Sequence, residues 1–269
     1  MPIKLIALDL DDTLFRADLS ISDANKDAIN AAIAHGAKVV LASGRNVDNM
    51  MRYARLLGLD GEGDYIICAN GAQIVETATE RRLYERRFGP ELGREITRAV
   101  SERGFPWQVY EDGRIRASKL SSWTIEDSRL TSQPCVTIDD VESLLSGGQL
   151  KFVIPGEPER IEGLFAEMRG LFAGRAEVVT SKPYLLEFLP PGVDKGEALR
   201  LLAELLGIPM AEVLAIGDSR NDVGMIKAAG IGCAPANAIA EARGAARYTS
   251  HATNDEDAVA EIIERFVGR

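Results

Sequence analysis

Short aliphatic runs alternate along the chain with segments in which apolar residues recur every three or four positions, and this alternation predicts an α/β protein. Ile3, Leu5, Ile6, Ala7 and Leu8 form a first run that reads as a buried parallel strand. Ser22 then caps a helix reaching about residue 35, with Ala28, Ile29, Ala32 and Ile33 on one face and Gly36 as its stop. Residues 37–42 make a second strand that runs straight into Ser43-Gly44-Arg45. A helix follows from about Asn46 to Gly58, turning Val47, Met50, Met51, Ala54 and Leu57 inward, and residues 64–69 make a third buried strand. Such a β-α-β-α-β beginning implies a parallel, right-handed, doubly wound sheet.

The texture changes near residue 80. Pro90-Glu91 opens a helix whose Leu92, Ile96, Ala99 and Val100 share a face, and Asp112-Gly113 marks a hairpin turn between two short strands. The same order recurs when Pro158-Glu159 opens a helix carrying Ile161, Leu164, Phe165 and Met168, followed by strands at 176–180 and 184–188. This internal repeat predicts a second, α+β domain over residues 82–188, inserted into a first domain formed by 1–81 and 189–269. Residues 118–148 are polar and without clear period, and Gly147-Gly148 suggests a loop before a strand at 150–154. Beyond a Pro190-Pro191-Gly192 linker, a helix starts at Asp194-Lys195 with Ala198, Leu199, Leu202, Leu205 and Leu206 inward. Residues 213–217 form a fourth apolar strand, Met225, Ile226 and Ala229 a helix face, 231–233 and 247–249 short strands, and 258–267 a closing helix.

With 269 residues and 46% hydrophobic content, the chain can fill two cores. A net charge of −10, with acids spread along the chain, argues against a nucleic-acid partner, whereas a small phosphate ester remains compatible with a locally cationic pocket. Cys68, Cys135 and Cys233 form no Cys-x-x-Cys pair, and His35 and His251 are too few for a zinc site of the usual ligand types. His35 sits in a last helical turn, a structural place for a cation. No run of eighteen apolar residues and no signal-peptide pattern occur, so the expectation is a soluble cytoplasmic protein without a membrane partner.

The chemistry gathers at strand ends. Asp9-Leu10-Asp11-Asp12-Thr13 closes the first strand, where ligands of open α/β sheets collect. Carboxylates about 5 Å apart repel by roughly 3 kcal/mol per pair at an effective dielectric of 20, and a hard dication is the natural offset. Ser43 and Gly44 lie between a strand end and a helix start, a place for a phosphate donor or for an ordinary helix cap. Arg45 either pairs with a carboxylate or lies on the surface. Lys195 heads a helix, against the dipole, a local inconsistency that marks a site. The fourth strand delivers Asp218-Ser219-Arg220-Asn221-Asp222, whose acids can neighbour those of the first.

Together, Asp9-Leu10-Asp11-Asp12-Thr13, Ser43-Gly44-Arg45, Lys195-Gly196 and Gly217 to Asp222 resemble the four motifs of the haloacid dehalogenase superfamily of phosphotransferases. Cys68-Ala69-Asn70-Gly71-Ala72, Asn254-Asp255-Glu256-Asp257 and the size of the insert are similar to its Cof-type branch. Ala234-Pro235-Ala236-Asn237-Ala238, where the branch usually has a Met-Gly-Asn-Ala turn, and Ala258, in place of a common Gly, depart from the pattern away from the inferred chemistry. The resemblance implies a Rossmann-like core with an inserted C2-type cap that selects the substrate, and a Mg²⁺-dependent phosphatase of small phosphorylated metabolites working through an aspartyl-phosphate. It implies Asp9 as nucleophile and Asp11 as general acid and base. The implied metal ligands are Asp9, the Asp11 carbonyl and Asp218, supported by Asp222. Leu10, Ser43, Gly44, Lys195 and Asn221 are implied as phosphoryl-binding residues. Asp12 reads as a turn residue, and Thr13 as a hydrogen-bond partner of Asp9 or Asp11. In the cap, Arg114, Arg116, Lys119, Trp107, Trp123 and Tyr184 are candidates for lining the cleft. The competing readings are a phosphomutase of similar layout and a non-catalytic phospho-acceptor or metabolite-binding regulator.

Overall fold

The computed structural model describes residues 2–268. They divide into two compact units, one built from the segments up to Tyr84 and from Asp194 onward, the other from Glu85–Val193. The seams thus fall a few residues beyond the 81/82 and 188/189 divisions expected from texture.

The first unit begins with β1 (Leu5–Leu8), α1 (Asp23–Ala34), β2 (Lys38–Ala42), α2 (Val47–Leu56) and β3 (Tyr65–Cys68). Ser22 caps α1 by accepting from the Asn25 N–H, and Asn46 caps α2 by accepting from the Asn49 N–H, so two orphan helix donors are met by short polar side chains. His35 closes α1, its Nδ1 2.8 Å from the Ala31 carbonyl oxygen. β4 (Gln73–Glu76) folds back antiparallel on β3, and β5 (Arg81–Glu85) forms the edge of the sheet beside β4.

The insert carries α3 (Pro90–Glu102), β6 (Gln108–Glu111), β7 (Arg114–Ala117), α4 (Ser122–Thr131), β8 (Cys135–Thr137), α5 (Val141–Ser146), β9 (Phe152–Pro155), α6 (Pro158–Leu171), β10 (Glu177–Lys182) and β11 (Leu185–Leu189). Its strands form one sheet in the order β10-β11-β9-β6-β7-β8. Ile96, Val100, Val109, Phe152, Ile154, Ile161, Met168 and Phe188 join in a core of its own. Residues 118–148, polar and without a clear period in the sequence, contain α4, β8 and α5.

The chain then returns to the first unit with α7 (Lys195–Leu205), β12 (Val213–Ile216), α8 (Val223–Ala228), β13 (Ile231–Ala234), α9 (Ala240–Ala245), β14 (Tyr248–Thr249) and α10 (Ala258–Phe266). The eight strands lie in the order β14-β13-β12-β1-β2-β3-β4-β5. β1 is central and parallel to both neighbours, Leu5 standing opposite Val213 on one side and Lys38 on the other. Alternate residues of β1 feed two cores, as the two-residue period of a strand requires. Ile6 and Leu8 pack with Ile29, Met50 and Ile262, whereas Leu5 and Ala7 pack with Leu199, Leu202 and Met225. This is the doubly wound, Rossmann-like arrangement, with an α+β insert between β5 and α7.

Candidate active site

Parallel pairing brings three strand ends together. The Asp9 N–H donates to the Ile216 carbonyl at 3.0 Å, which sets Asp9, just past β1, beside Gly217 and Asp218, just past β12. On the other flank Leu8 faces Leu41, so the loop from Ser43 follows one step beyond. Leu10 is buried in the core at the start of a turn spanning Leu10–Leu14. Asp12 adopts a left-handed φ of 57° in that turn, and its carbonyl accepts from Asn237 Nδ2 at 2.8 Å.

Lys195 is the centre of charge. It is 0% exposed, and its Nζ donates to Asp9 Oδ1 and to Asp222 Oδ1, each at 2.6 Å. The following Gly196 explains how the lysine gets there: a Cβ at that position would lie 2.4 Å from the Gly224 carbonyl oxygen, so only glycine lets α7 approach α8 this closely. Burial works against the ammonium charge, but Asp222 and Asp9 outweigh it and hold Lys195 above the ordinary lysine range. For Asp9, burial and then the Asp222 charge push the carboxyl well above the usual range; Lys195 pulls it down, while Asp218 and Asp11 add to the rise.

Asp222 folds back beneath Asp218. Its Oδ2 accepts from the Asp218 and Ser219 N–H groups at 3.1 and 3.0 Å, and a Cβ on Gly217 would sit 2.5 Å from the Asp222 Cβ. Asp218 is held by two hydroxyls, Thr13 donating to Oδ1 at 3.1 Å and Ser219 to Oδ2 at 2.9 Å. Thr13, expected to orient Asp9 or Asp11, therefore orients Asp218.

Oxygens of Asp9, Asp218 and Asp222 lie within 4.8 Å of one another, and all three residues are buried. One ammonium faces three carboxylates, and every donor is a hard oxygen. That donor set and its uncompensated charge suit Mg²⁺. Asp222 already accepts at both oxygens, from Lys195 and from two N–H groups, so its hydrogen bonds brace the loop that carries Asp218.

The loop after β2 is clipped to the loop after β3. Ser43 N–H donates to the Ile67 carbonyl at 2.9 Å, while Asn70 and Ala69 N–H donate to the Ser43 and Arg45 carbonyls at 3.0 and 2.9 Å. Ser43 is buried and its hydroxyl accepts from the Arg45 N–H at 3.3 Å, and the cap of α2 is Asn46. Asn70 stands over Gly44, its amide 3.1 Å from where a Cβ would be, and accepts from Asn221 Nδ2 at 2.9 Å. Asn221 Oδ1 is buried without a protein partner. In the sequence, Asn70 stands out only within the Cys68-Ala69-Asn70-Gly71-Ala72 stretch similar to the Cof-type branch, with no role at the site assigned to it; the signal for more is a polar residue closely following a buried strand.

Arg45 resolves in favour of a carboxylate. It reaches Asp11 with two nitrogens, Nε to Oδ2 at 2.9 Å and Nη2 to Oδ1 at 2.8 Å.

In the insert, Trp107, a candidate for lining the cleft, is buried in the core, edge-on to Phe152 at 6.1 Å. Arg116 pairs with Glu111 at 3.0 Å. Trp123 stacks on Tyr184 at 4.7 Å and donates to Glu157 at 3.0 Å. Arg114 and Lys119 are exposed.

A profile of haloacid dehalogenase-like hydrolases matches residues 6–263. YxeH of Bacillus subtilis is 34% identical over 268 residues, covering 98% of each chain. The 5-amino-6-(5-phospho-D-ribitylamino)uracil phosphatase YcsE, also of Bacillus subtilis, is 31% identical and covers 98% of this chain and 96% of its own. Among solved structures, a haloacid dehalogenase-like hydrolase from Bacteroides thetaiotaomicron superposes with a TM-score of 0.85 at 32% identity, over 98% of this chain and 99% of that one. With the profile spanning nearly the whole chain and relatives matching end to end, the protein belongs to the haloacid dehalogenase-like hydrolases, in their Cof-type branch.

Proposed function

We propose that the protein is a Mg²⁺-dependent phosphatase that hydrolyses small phosphorylated metabolites through an aspartyl-phosphate on Asp9. The observation that carries this reading is the buried Lys195 ammonium shared between Asp9 and Asp222, beside an Asp218 fixed by two hydroxyls. A carboxylate so held presents one oxygen for attack while the lysine limits repulsion of an incoming phosphate dianion.

Asp9 attacks phosphorus in line, the bond to the leaving oxygen breaks, and Asp11 protonates that oxygen. Asp11 then takes a proton from water, which attacks the phosphorus of the aspartyl-phosphate and frees Asp9. The Ser43 hydroxyl, the N–H groups of Leu10 and Gly44, Lys195 and the Asn221 amide hold the phosphoryl oxygens, and Asn70 fixes Asn221. Asp9, the Asp11 carbonyl and Asp218 would hold Mg²⁺, with Asp222 bracing the loop. When bound, the ion neutralises charge on the phosphoryl oxygens.

Substrate choice falls to the insert as a cap, since the core motifs recognise only the phosphoryl group. The phosphorylated ribitylamino-uracil named for YcsE supports a substrate of metabolite size, with a polyol or heterocycle behind the phosphate. Three free cysteines suit a reducing compartment such as the cytoplasm. Among the described residues no helix is long and apolar enough to cross a membrane.

The test is phosphate release from p-nitrophenyl phosphate, with and without Mg²⁺, for the native chain beside Asp9→Asn. Metal-dependent turnover that Asp9→Asn lacks is expected. Turnover retained by a verified, uncontaminated Asp9→Asn sample overturns the covalent route, and a panel of phosphorylated metabolites then ranks substrates.

A further inference from the structure

We propose that Arg45 is a positioning residue for the reaction, holding the Asp11 carboxyl in one orientation so that its proton transfers reach the leaving oxygen and the water; this rests on the phosphatase reading above. Asp11 lies in a turn, partly open to solvent, and its side chain is not among the clustered carboxylates of Asp9, Asp218 and Asp222. Left alone, such a side chain would sample several rotamers. Two parallel bonds from one guanidinium remove that freedom, because the fork fixes the carboxylate plane as well as its distance.

Arg45 is itself immobilised. Its side chain is only 5% exposed. Nη1 donates to Asn49 Oδ1 at 2.6 Å, and its Cζ lies 5.4 Å from the Phe15 ring centre and 5.6 Å from that of Tyr53. Phe15 and Tyr53 in turn touch each other at 4.5 Å between centroids. The Arg45 carbonyl is tied to the Ala69 N–H at 2.9 Å, so backbone and guanidinium are both anchored. Five donors in a rigid plane allow one residue to grip both Asp11 oxygens and Asn49 together, a planar fork that a lysine ammonium lacks. When one Asp11 oxygen carries the proton, one bond of the fork opens and the other serves as a pivot.

The distinction from a phosphate-binding arginine is experimental. kcat/KM reports the steps through release of the leaving group. An aryl phosphate has a leaving group that departs without a proton, whereas an alkyl phosphate such as glycerol 2-phosphate needs one. Arg45→Ala is expected to lower kcat/KM for the alkyl ester by about 10- to 100-fold and for p-nitrophenyl phosphate by less than about threefold. Arg45→Lys should recover only part of the loss, and inhibition by inorganic phosphate should stay unchanged. Asn49→Ala keeps the charge but loosens the fork, and should show the same substrate bias at about 3- to 10-fold; it serves if Arg45→Ala does not fold. In metal-free crystals, Asp11 should hold one rotamer in the native chain and several in Arg45→Ala. Equal losses on both esters, weaker phosphate inhibition, or an unmoved Asp11 each overturn the proposal. If the native chain hydrolyses neither ester, the phosphatase reading fails, while the rotamer comparison still judges Arg45.

Discussion

Lys195 Nζ lies 2.6 Å from Asp9 Oδ1, a buried contact between residues 186 positions apart. The same ammonium neutralises Asp222, so removing it leaves two buried carboxylates without their counter-charge. Lys195→Ala should cost about 3–5 kcal/mol in the absence of metal, the usual penalty for breaking a buried ion pair from one side. Added Mg²⁺ should return part of that. Urea unfolding with and without Mg²⁺ measures both effects, and a variant as stable as the native chain without metal would contradict the charge account.

Thr13 acts on the proposed metal site at one remove. Its hydroxyl fixes Asp218, and Thr13→Val keeps the shape while deleting the donor. Mg²⁺ affinity should fall by about 10-fold or more, as outer-shell substitutions typically do, with the fold intact. Calorimetric titration checks this; an unchanged affinity would mean that the Ser219 hydroxyl alone orients Asp218.

Asp9 carries a pH signature. Burial and the Asp222 charge raise its carboxyl in the folded state. Without metal, its contribution favours folding below the ordinary carboxylate range and is lost as pH rises through the elevated folded value. A bound Mg²⁺ would require the carboxylate, so binding should release protons wherever Asp9 is still protonated in the folded state, and the gain in Tm from Mg²⁺ should grow as pH rises. Titrations in buffers of different ionisation enthalpy count the protons, and no buffer dependence would refute the shift.

The cysteines divide by burial. Burial pushes the Cys68 thiol far above its ordinary range, and burial outweighs Arg265 and Arg247 to push Cys233 up to about 12. At about pH 8 a thiol titrating near 12 is thiolate in roughly one molecule in 10⁴, so both should alkylate slowly in the folded state. Cys135, half-buried on β8, should react first. Peptide mapping after iodoacetamide shows the order; early labelling of Cys68 would be the contrary result.

Much of the core was legible because its signals are local. The runs that became β1, β2, β3 and β12 are aliphatic and end in chemistry-bearing residues, and α1, α2, α6 and α7 carry apolar faces at helical period. The opposite case is α4. It turns Thr124, Asp127 and Thr131 inward, Asp127 accepting from Gln108 at 2.6 Å and from the Tyr110 hydroxyl, so a buried face reads as polar and no apolar period marks it. In the site, acids at strand ends announced Asp9 and Asp218, whose meeting needs only a parallel sheet, and a cation at a helix start announced Lys195. Thr13 choosing Asp218 depends on strand register across 205 residues, and Arg45 choosing Asp11 depends on the reach of a long side chain. Neither is a local property of the sequence.

The pairing of β1 with β12 also sets a schedule. In a chain made from its N-terminus, β1 emerges with β2 and β3 but keeps one open edge until Val213–Ile216 appears, and the acids after it wait nearly as long for Lys195. An exposed, aliphatic edge is a template for pairing with other chains. The intervening segment carries its own apolar core, so it can condense during that wait and shorten the loop that must close. Chains interrupted before β12 should therefore be the aggregating species, and co-expression with a chaperone should help them far more than the full-length protein.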